Sequence, residues 1–263
     1  MQQYVLWPDL RATWLRANLR TTPAADIDAF MQQHGTLRPA RELRYKQAMM
    51  LARDGDLGGF QRIYEQFYQG QDIARLDCLS LQAEINAGRF TRVNQRALDL
   101  WLVGTSQVSE CDPVFTYLND NNLLDTLAYR KRFDLAIEAR EFQLARWLAK
   151  KIDQPHADEA ALWVQAQANP EEFLRQHNPS NNGPTYRKQL TYAAERLTYR
   201  DPELALRLWH RVVKRYGFSA EQKLRTERHI ALWTSRDNLP DGYKLLAKLP
   251  VAAQDEEVLR WRA

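Results

Sequence analysis

The sequence has little of what punctuates β-sheets or staples small scaffolds: its 263 residues include 10 Gly, 11 Pro and 2 Cys. So few turn-formers argue against a many-stranded sheet protein and exclude a collagen-like one. The two cysteines, Cys78 and Cys111, are too few for a disulfide-rich fold and have neither C-x-x-C spacing nor a nearby histidine pair for zinc. On spacing alone they read as two reduced core thiols. No apolar run approaches the ~18 residues needed to span a bilayer. The first residues, Met-Gln-Gln-Tyr-Val-Leu-Trp-Pro, hold neither the basic nor the apolar region of a secretion signal.

Catalytic signatures are absent as well. There is no G-x-x-x-x-G-K-[ST], G-x-G-x-x-G, H-E-x-x-H or G-x-S-x-G, the markers of phosphate cradles, dinucleotide sites, zinc hydrolysis and the hydrolase elbow. The histidines His34, His156, His177, His210 and His229 have no i, i+4 partner among themselves and read as structural. Acidic pairs such as Glu171-Glu172 and the run Asp255-Glu256-Glu257 point in different directions on a helix, so they read as first-turn charges favoured by the helix dipole. No catalytic residue, cofactor site or metal site is assigned.

What is present is helix. The chain is 44% hydrophobic and 27% charged, enough to bury a core. Its length exceeds the ~100 to 200 residues of one compact domain, so two domains or one elongated array is expected. Apolar residues recur at three- and four-residue steps, as in Phe60, Ile63, Tyr64, Phe67 and in Phe142, Ala145, Leu148. Start signals agree: Asp112-Pro113 and Asp201-Pro202 place an N-cap before a first-turn proline, and Ser219-Ala220-Glu221-Gln222 is a capping box. Short links at Asp54-Gly55-Asp56, Ala87-Gly88-Arg89, Ala139-Arg140-Glu141 and Tyr199-Arg200-Asp201 force neighbouring helices antiparallel. The predicted fold is therefore all-α, an α-solenoid or superhelix of stacked antiparallel helix pairs, tetratricopeptide-like with degenerate repeats. Asn178-Pro179-Ser180-Asn181-Asn182-Gly183-Pro184 breaks the pattern and reads as an exposed connector between two halves of the array.

Basicity is mild and of one type, with 28 Arg against 9 Lys and a net charge of +4. Residues 181–263 carry an excess of six positive charges, while the rest carries an excess of two negative ones. Such arginines pair carboxylates and stack on rings. Nucleic-acid binding ranks last among the readings, because Lys is scarce and the basic residues alternate with acids. Trp14, Trp101, Trp147, Trp163, Trp209, Trp233 and Trp261 fall inside helical patterns, often beside Arg. They read either as core with the arginine stem covering the rim or as a wall that stacks sugars, bases or peptides.

An ordered series of segments resembles a known family. Asp26 through Phe30 with Gln33-His34, Tyr68 followed by Leu76 and Cys78, Ala97-Leu98-Asp99-Leu100-Trp101-Leu102-Val103-Gly104, and Cys111-Asp112-Pro113-Val114-Phe115 are similar to the U-shaped superhelical region of the soluble lytic murein transglycosylases. Arg200-Asp201-Pro202-Glu203, Trp209, Tyr216-Gly217-Phe218-Ser219, Leu249-Pro250 and Glu257-Val258-Leu259-Arg260-Trp261 continue the series. The resemblance is best over 24–153 and 192–262.

The resemblance implies that residues 1–263 are a partial U-shaped superhelical domain, with 178–184 between its halves. In the family a C-terminal lysozyme-like domain cleaves peptidoglycan to 1,6-anhydromuropeptides, with a Glu followed by Ser as its acid. This chain holds no Glu-Ser dipeptide, so the expectation is a truncated relative or gene fragment lacking the catalytic domain and inactive by itself. The resemblance further implies a Cys78–Cys111 disulfide, a periplasmic location, and peptidoglycan glycan strands as partner. An uncapped array end is expected to drive self-association. The alternative reading is a helical-repeat module binding a partner peptide.

Overall fold

The computed structural model describes residues 4–262, and among these no residue is in a strand. The chain divides between Ala128 and Tyr129 into two compact units.

The first unit holds α1 (Trp7–Ala17), α2 (Ala24–His34), α3 (Arg38–Arg53), α4 (Leu57–Phe67), α5 (Ala74–Asn86), α6 (Val93–Trp101), a 3-10 turn (Ser109–Cys111) and α7 (Asp112–Asp120). α3 packs on α1 and α4, and α5 on α4, α6 and α7. Small cores result, among them one around Leu15, Phe30 and Leu43 and one around Phe60, Tyr64 and Leu76. The Tyr64 hydroxyl donates to Asp77 Oδ1 at 2.7 Å, and Arg96 reaches both that hydroxyl (3.3 Å) and Glu84 (2.7 Å). The network ties α4, α5 and α6, and burial pushes the Tyr64 phenol up to about 12.

The second unit contains most of α8 (Thr126–Glu138), then α9 (Phe142–Ala149), α10 (Gln154–Ala168), α11 (Pro170–Arg175), α12 (Pro184–Thr198), α13 (Pro202–Val213), α14 (Ala220–Arg236), α15 (Gly242–Ala247) and α16 (Glu256–Arg262). Even-numbered helices α10, α12, α14 and α16 contact one another in one layer, and α9, α11, α13 and α15 pack against them as a second. The largest core fills the space between, with Phe142, Leu174, Leu190, Leu208 and Trp209 almost wholly buried. Fully burying side chains of this size contributes roughly 2 to 3 kcal/mol each. This is the predicted all-α stack of antiparallel helix pairs.

Helix boundaries follow the sequence signals. Among the described residues prolines open seven helices in their first turn, so this residue starts helices here rather than breaking them. Ser219 and Gln222 form the expected capping box, and the Asp201 carboxylate accepts the Leu204 N–H at 2.8 Å. Asp112 differs: it lies inside α7 as its first residue, because the 3-10 turn feeds the helix and leaves Cys111 at the cap. Among the described residues five helices end alike, with a residue at positive φ just past the cap: Gly55, Gly88, Asn122, Arg140 and Asn238. In each, the next N–H returns to a carbonyl five residues back, as Glu141 does to Ala136 at 2.8 Å. Four of the five places hold the Gly or Asn that this conformation favours.

The 178–184 segment is largely exposed and joins α11 to α12 within the second unit. It is tied down at one end, since the Asn178 N–H donates to the Tyr186 hydroxyl (2.9 Å) and its carbonyl accepts from the Tyr216 hydroxyl (2.8 Å). The tryptophans divide. Trp101, Trp163 and Trp209 are core, whereas Trp14 and Trp147 are each 49% exposed, so helical spacing alone overstated their burial.

Cys78 and Cys111 are both fully buried and joined in a disulfide 33 residues apart in sequence. Closing that loop restricts the unfolded chain by about 3 to 4 kcal/mol on the chain-entropy model. The Cys78→Ala, Cys111→Ala double variant is expected to lose that much in urea unfolding, and denatured, unreduced protein to release no thiol on titration; two reactive thiols would refute the bond. Gly88 has φ +69 and, its chain neighbours aside, no atom within 4 Å of where a Cβ would stand, so Gly88→Ala tests the backbone alone and is expected to cost about 1 kcal/mol by the same measurement.

Candidate functional site

A cavity of about 350 Å³ in the second unit is built by one face of α12, the turn after α8, the start of α14 and an aromatic floor. On α12 the residues Lys188, Thr191, Tyr192 and Glu195 recur at three- and four-residue steps, so a single face lines it. Glu138 and Arg140 come from the end of α8, and Glu221, Gln222 and Arg225 from the start of α14. The floor is aromatic: Phe142 stacks on Trp163 at 5.0 Å and meets Tyr192 edge-on at 5.1 Å.

Glu195 is the centre of the electrostatics. It is only 7% exposed, and a carboxylate is costly to bury unless paired. Its partners are loosely set, with Arg225 Nε 3.4 Å from Oε1 and Arg140 Nη2 4.0 Å from Oε2. Elsewhere in the chain Arg96–Glu84 and Arg20–Asp54 close to 2.7 Å, the usual length of a charge-assisted bond. Glu195 Oε1 accepts no hydrogen bond. The Arg140 guanidinium also lies over the Tyr192 ring at 5.4 Å.

Behind Glu195, His229 Nε2 sits 3.2 Å from its backbone carbonyl. Burial holds this imidazole below its ordinary value; Glu195 opposes the shift, and Arg140 and Arg225 add to it. His229 also touches the exposed Tyr199 at 5.3 Å and the half-buried Trp233 at 6.4 Å between ring centroids. Arg236, paired with Glu257, lies 5.1 Å from Trp233 and 5.9 Å from Trp261.

A hollow of about 600 Å³ in the first unit is lined by Asp28, Gln47 and Phe67 among others. Its one arginine, Arg44, is already engaged: the guanidinium lies 3.6 Å over Phe67 and donates to the Gly35 carbonyl at 3.1 Å. Among the described residues no group of three or more His, Cys, Asp or Glu could hold a metal ion. No helix among them is long and apolar enough to cross a membrane. Cys78 and Cys111 lie in the first unit and serve its packing.

In the sequence Trp163 stands among the helical tryptophans, Phe142 in an apolar helical pattern and Arg140 in a turn, whereas no motif marks Tyr192, Glu195 or Arg225. The available signal was the α12 spacing of Lys188, Thr191, Tyr192 and Glu195. Its functional content needed the other helices.

No family model matches the chain. Over 174 residues, 66% of this chain, it is 28% identical to the soluble lytic murein transglycosylases of Escherichia coli (strain K12) and Salmonella typhimurium. That match covers 26% of their length, so the chain spans about a quarter of the curated relatives it matches. An inactive mutant of lytic transglycosylase Slt from Pseudomonas aeruginosa superposes with a TM-score of 0.64 and 27% identity, over 99% of this chain and 42% of that one. The 70 kDa soluble lytic transglycosylase of Escherichia coli gives a TM-score of 0.65 at 23% identity, over 99% and 39%. Sequence and fold both relate the chain to the soluble lytic murein transglycosylases, as the ordered series of segments implied.

The depressed His229 sets a pH window. Its folded pKa lies below its unfolded one, so the unfolded chain takes up the proton first and stability falls as pH drops below about 6.5. Carboxylates held low in the fold, such as Asp153 and Asp255, lose their contribution only near and below about pH 4. Urea midpoints measured from pH 8 to about 5 are expected to decline below about 6.5, and His229→Gln to flatten that part of the curve.

Proposed function

We propose that this relative of the soluble lytic murein transglycosylases is a non-catalytic superhelical scaffold. It holds or guides the glycan–peptide polymer of peptidoglycan for an active site outside these 263 residues. The observation that carries the reading is the match of fold along 99% of the chain to a lytic transglycosylase at 27% identity. Consistent with the inactive half, the sequence contains no Glu-Ser dipeptide of the kind that supplies the family's acid.

On this reading residues 1–263 are part of a U-shaped domain, and the chain works in the periplasm, where a Cys78–Cys111 disulfide is stable. Arginine and aromatic side chains suit the task. Guanidinium groups take up carboxylates in a bidentate way, and exposed rings such as Tyr199 and Trp261 offer faces on which sugar C–H groups pack.

Purified chain mixed with isolated sacculi is expected to sediment with them and to release no 1,6-anhydromuropeptide detectable by chromatography. Measurable release would overturn the non-catalytic half. Failure to sediment, with a stoichiometric protein recovered in pulldown instead, would replace the scaffold by a module that binds a partner peptide.

A further inference from the structure

We propose that the cavity between α8, α10, α12 and α14 binds the free end of a short peptide or an amino acid, a ligand bearing both an ammonium and a carboxylate group. The inference rests on the scaffold reading only for where such a ligand would come from; the recognition belongs to the cavity.

The walls carry charge of both signs in equal number, with Arg140, Lys188 and Arg225 facing Glu138, Glu195 and Glu221. A dianion such as phosphate would meet three carboxylates, and a simple cation would meet three basic groups. A neutral sugar would return no ionic partner to either set. A zwitterion satisfies both sets, and at about 350 Å³ the cavity has room for a few residues.

The buried carboxylate supplies an independent pointer. Glu195 is more than nine-tenths buried and its Oε1 accepts no hydrogen bond, although Arg225 Nε stands 3.4 Å away. A buried acceptor left in this state costs free energy that an incoming N–H donor recovers. The two arginines are spread rather than closed on it. At 54% and 69% side-chain exposure they keep donors free for a ligand carboxylate.

Arg140 adds a third observation. It occupies the positive-φ position that ends α8, with φ 61, where the other four turns of this kind hold Gly or Asn. An arginine is strained there, and strain of this sort collects where a side chain is needed for something other than the turn. Here the turn points the guanidinium over Tyr192 and into the cavity.

Trialanine with free ends, N-acetyl-trialanine and trialanine amide provide the probes, titrated against the full chain by saturation-transfer NMR and tryptophan emission. Saturable binding of the free peptide is expected, weakened at least about tenfold by blocking either end. That factor is about what losing one charge-assisted bond costs. The double variant Arg140→Asn, Arg225→Ala, with an asparagine that tolerates positive φ, is expected to weaken it by the same factor or more and to keep its circular dichroism. No saturable binding, equal binding of blocked and free peptides, or an unaffected double variant would overturn the proposal. Since the blocked peptides are compared on the unaltered chain, a misfolded variant would not rescue it. Sacculus sedimentation separates the two readings. Retention without peptide binding overturns this inference alone, whereas end-dependent peptide binding without retention supports it and faults the scaffold reading.

Discussion

No helix of this chain buries its apolar surface alone, and that constraint governs the rest. Among the described residues the longest helix has 17 residues and several have 11 or fewer, lengths at which an isolated helix is marginal in water. Each becomes stable by lying against the helices before and after it. In the second unit α12 shows the consequence. It touches α10, α11, α13 and α14, and nine of its fifteen residues are buried, including Gln189 and Glu195, which an ordinary surface helix would leave in water. Stacking thus forces polar groups inward. Gln189 finds the Glu159 carbonyl at 3.1 Å, whereas Glu195 finds only the loose attention of two arginines.

The turns translate that constraint into geometry. A helix that must reverse within about three residues needs a sharp stop, and the recurrent stop here is one residue in the left-handed region, followed by a bond back to the last turn. Glycine and asparagine adopt it cheaply. Arg140 does not, and the same turn that ends α8 therefore also sets the position of a cation beside Tyr192 and Glu195. A local backbone requirement becomes a feature of the cavity.

Relationship to the lytic transglycosylases adds a frame in which these features make sense without supplying chemistry of its own. The matched stretch is a quarter of the curated relatives' length, and what the described residues offer is surface: a mixed-charge cavity, an aromatic strip from Tyr199 through Trp233 to Trp261, and arginines held by carboxylates at its edge.

The sequence by itself determined the helical class, most helix starts and the turn positions, because those depend on neighbours within four residues: Ser219 caps what Gln222 completes, and Gly55 and Gly88 end helices wherever they are placed. It also carried the family likeness, since an ordered series of segments survives loss of detail. Tertiary structure decided which tryptophans are core, for Trp147 and Trp209 have similar local settings, Arg-Trp and Leu-Trp-His-Arg, yet one is half exposed and the other fully covered. It also decided the cavity. Glu195, Arg140 and Arg225 are 55 and 30 residues apart along the chain, and only the packing of α12 against its neighbours brings their charges within reach, since interaction energy follows distance in space rather than along the sequence.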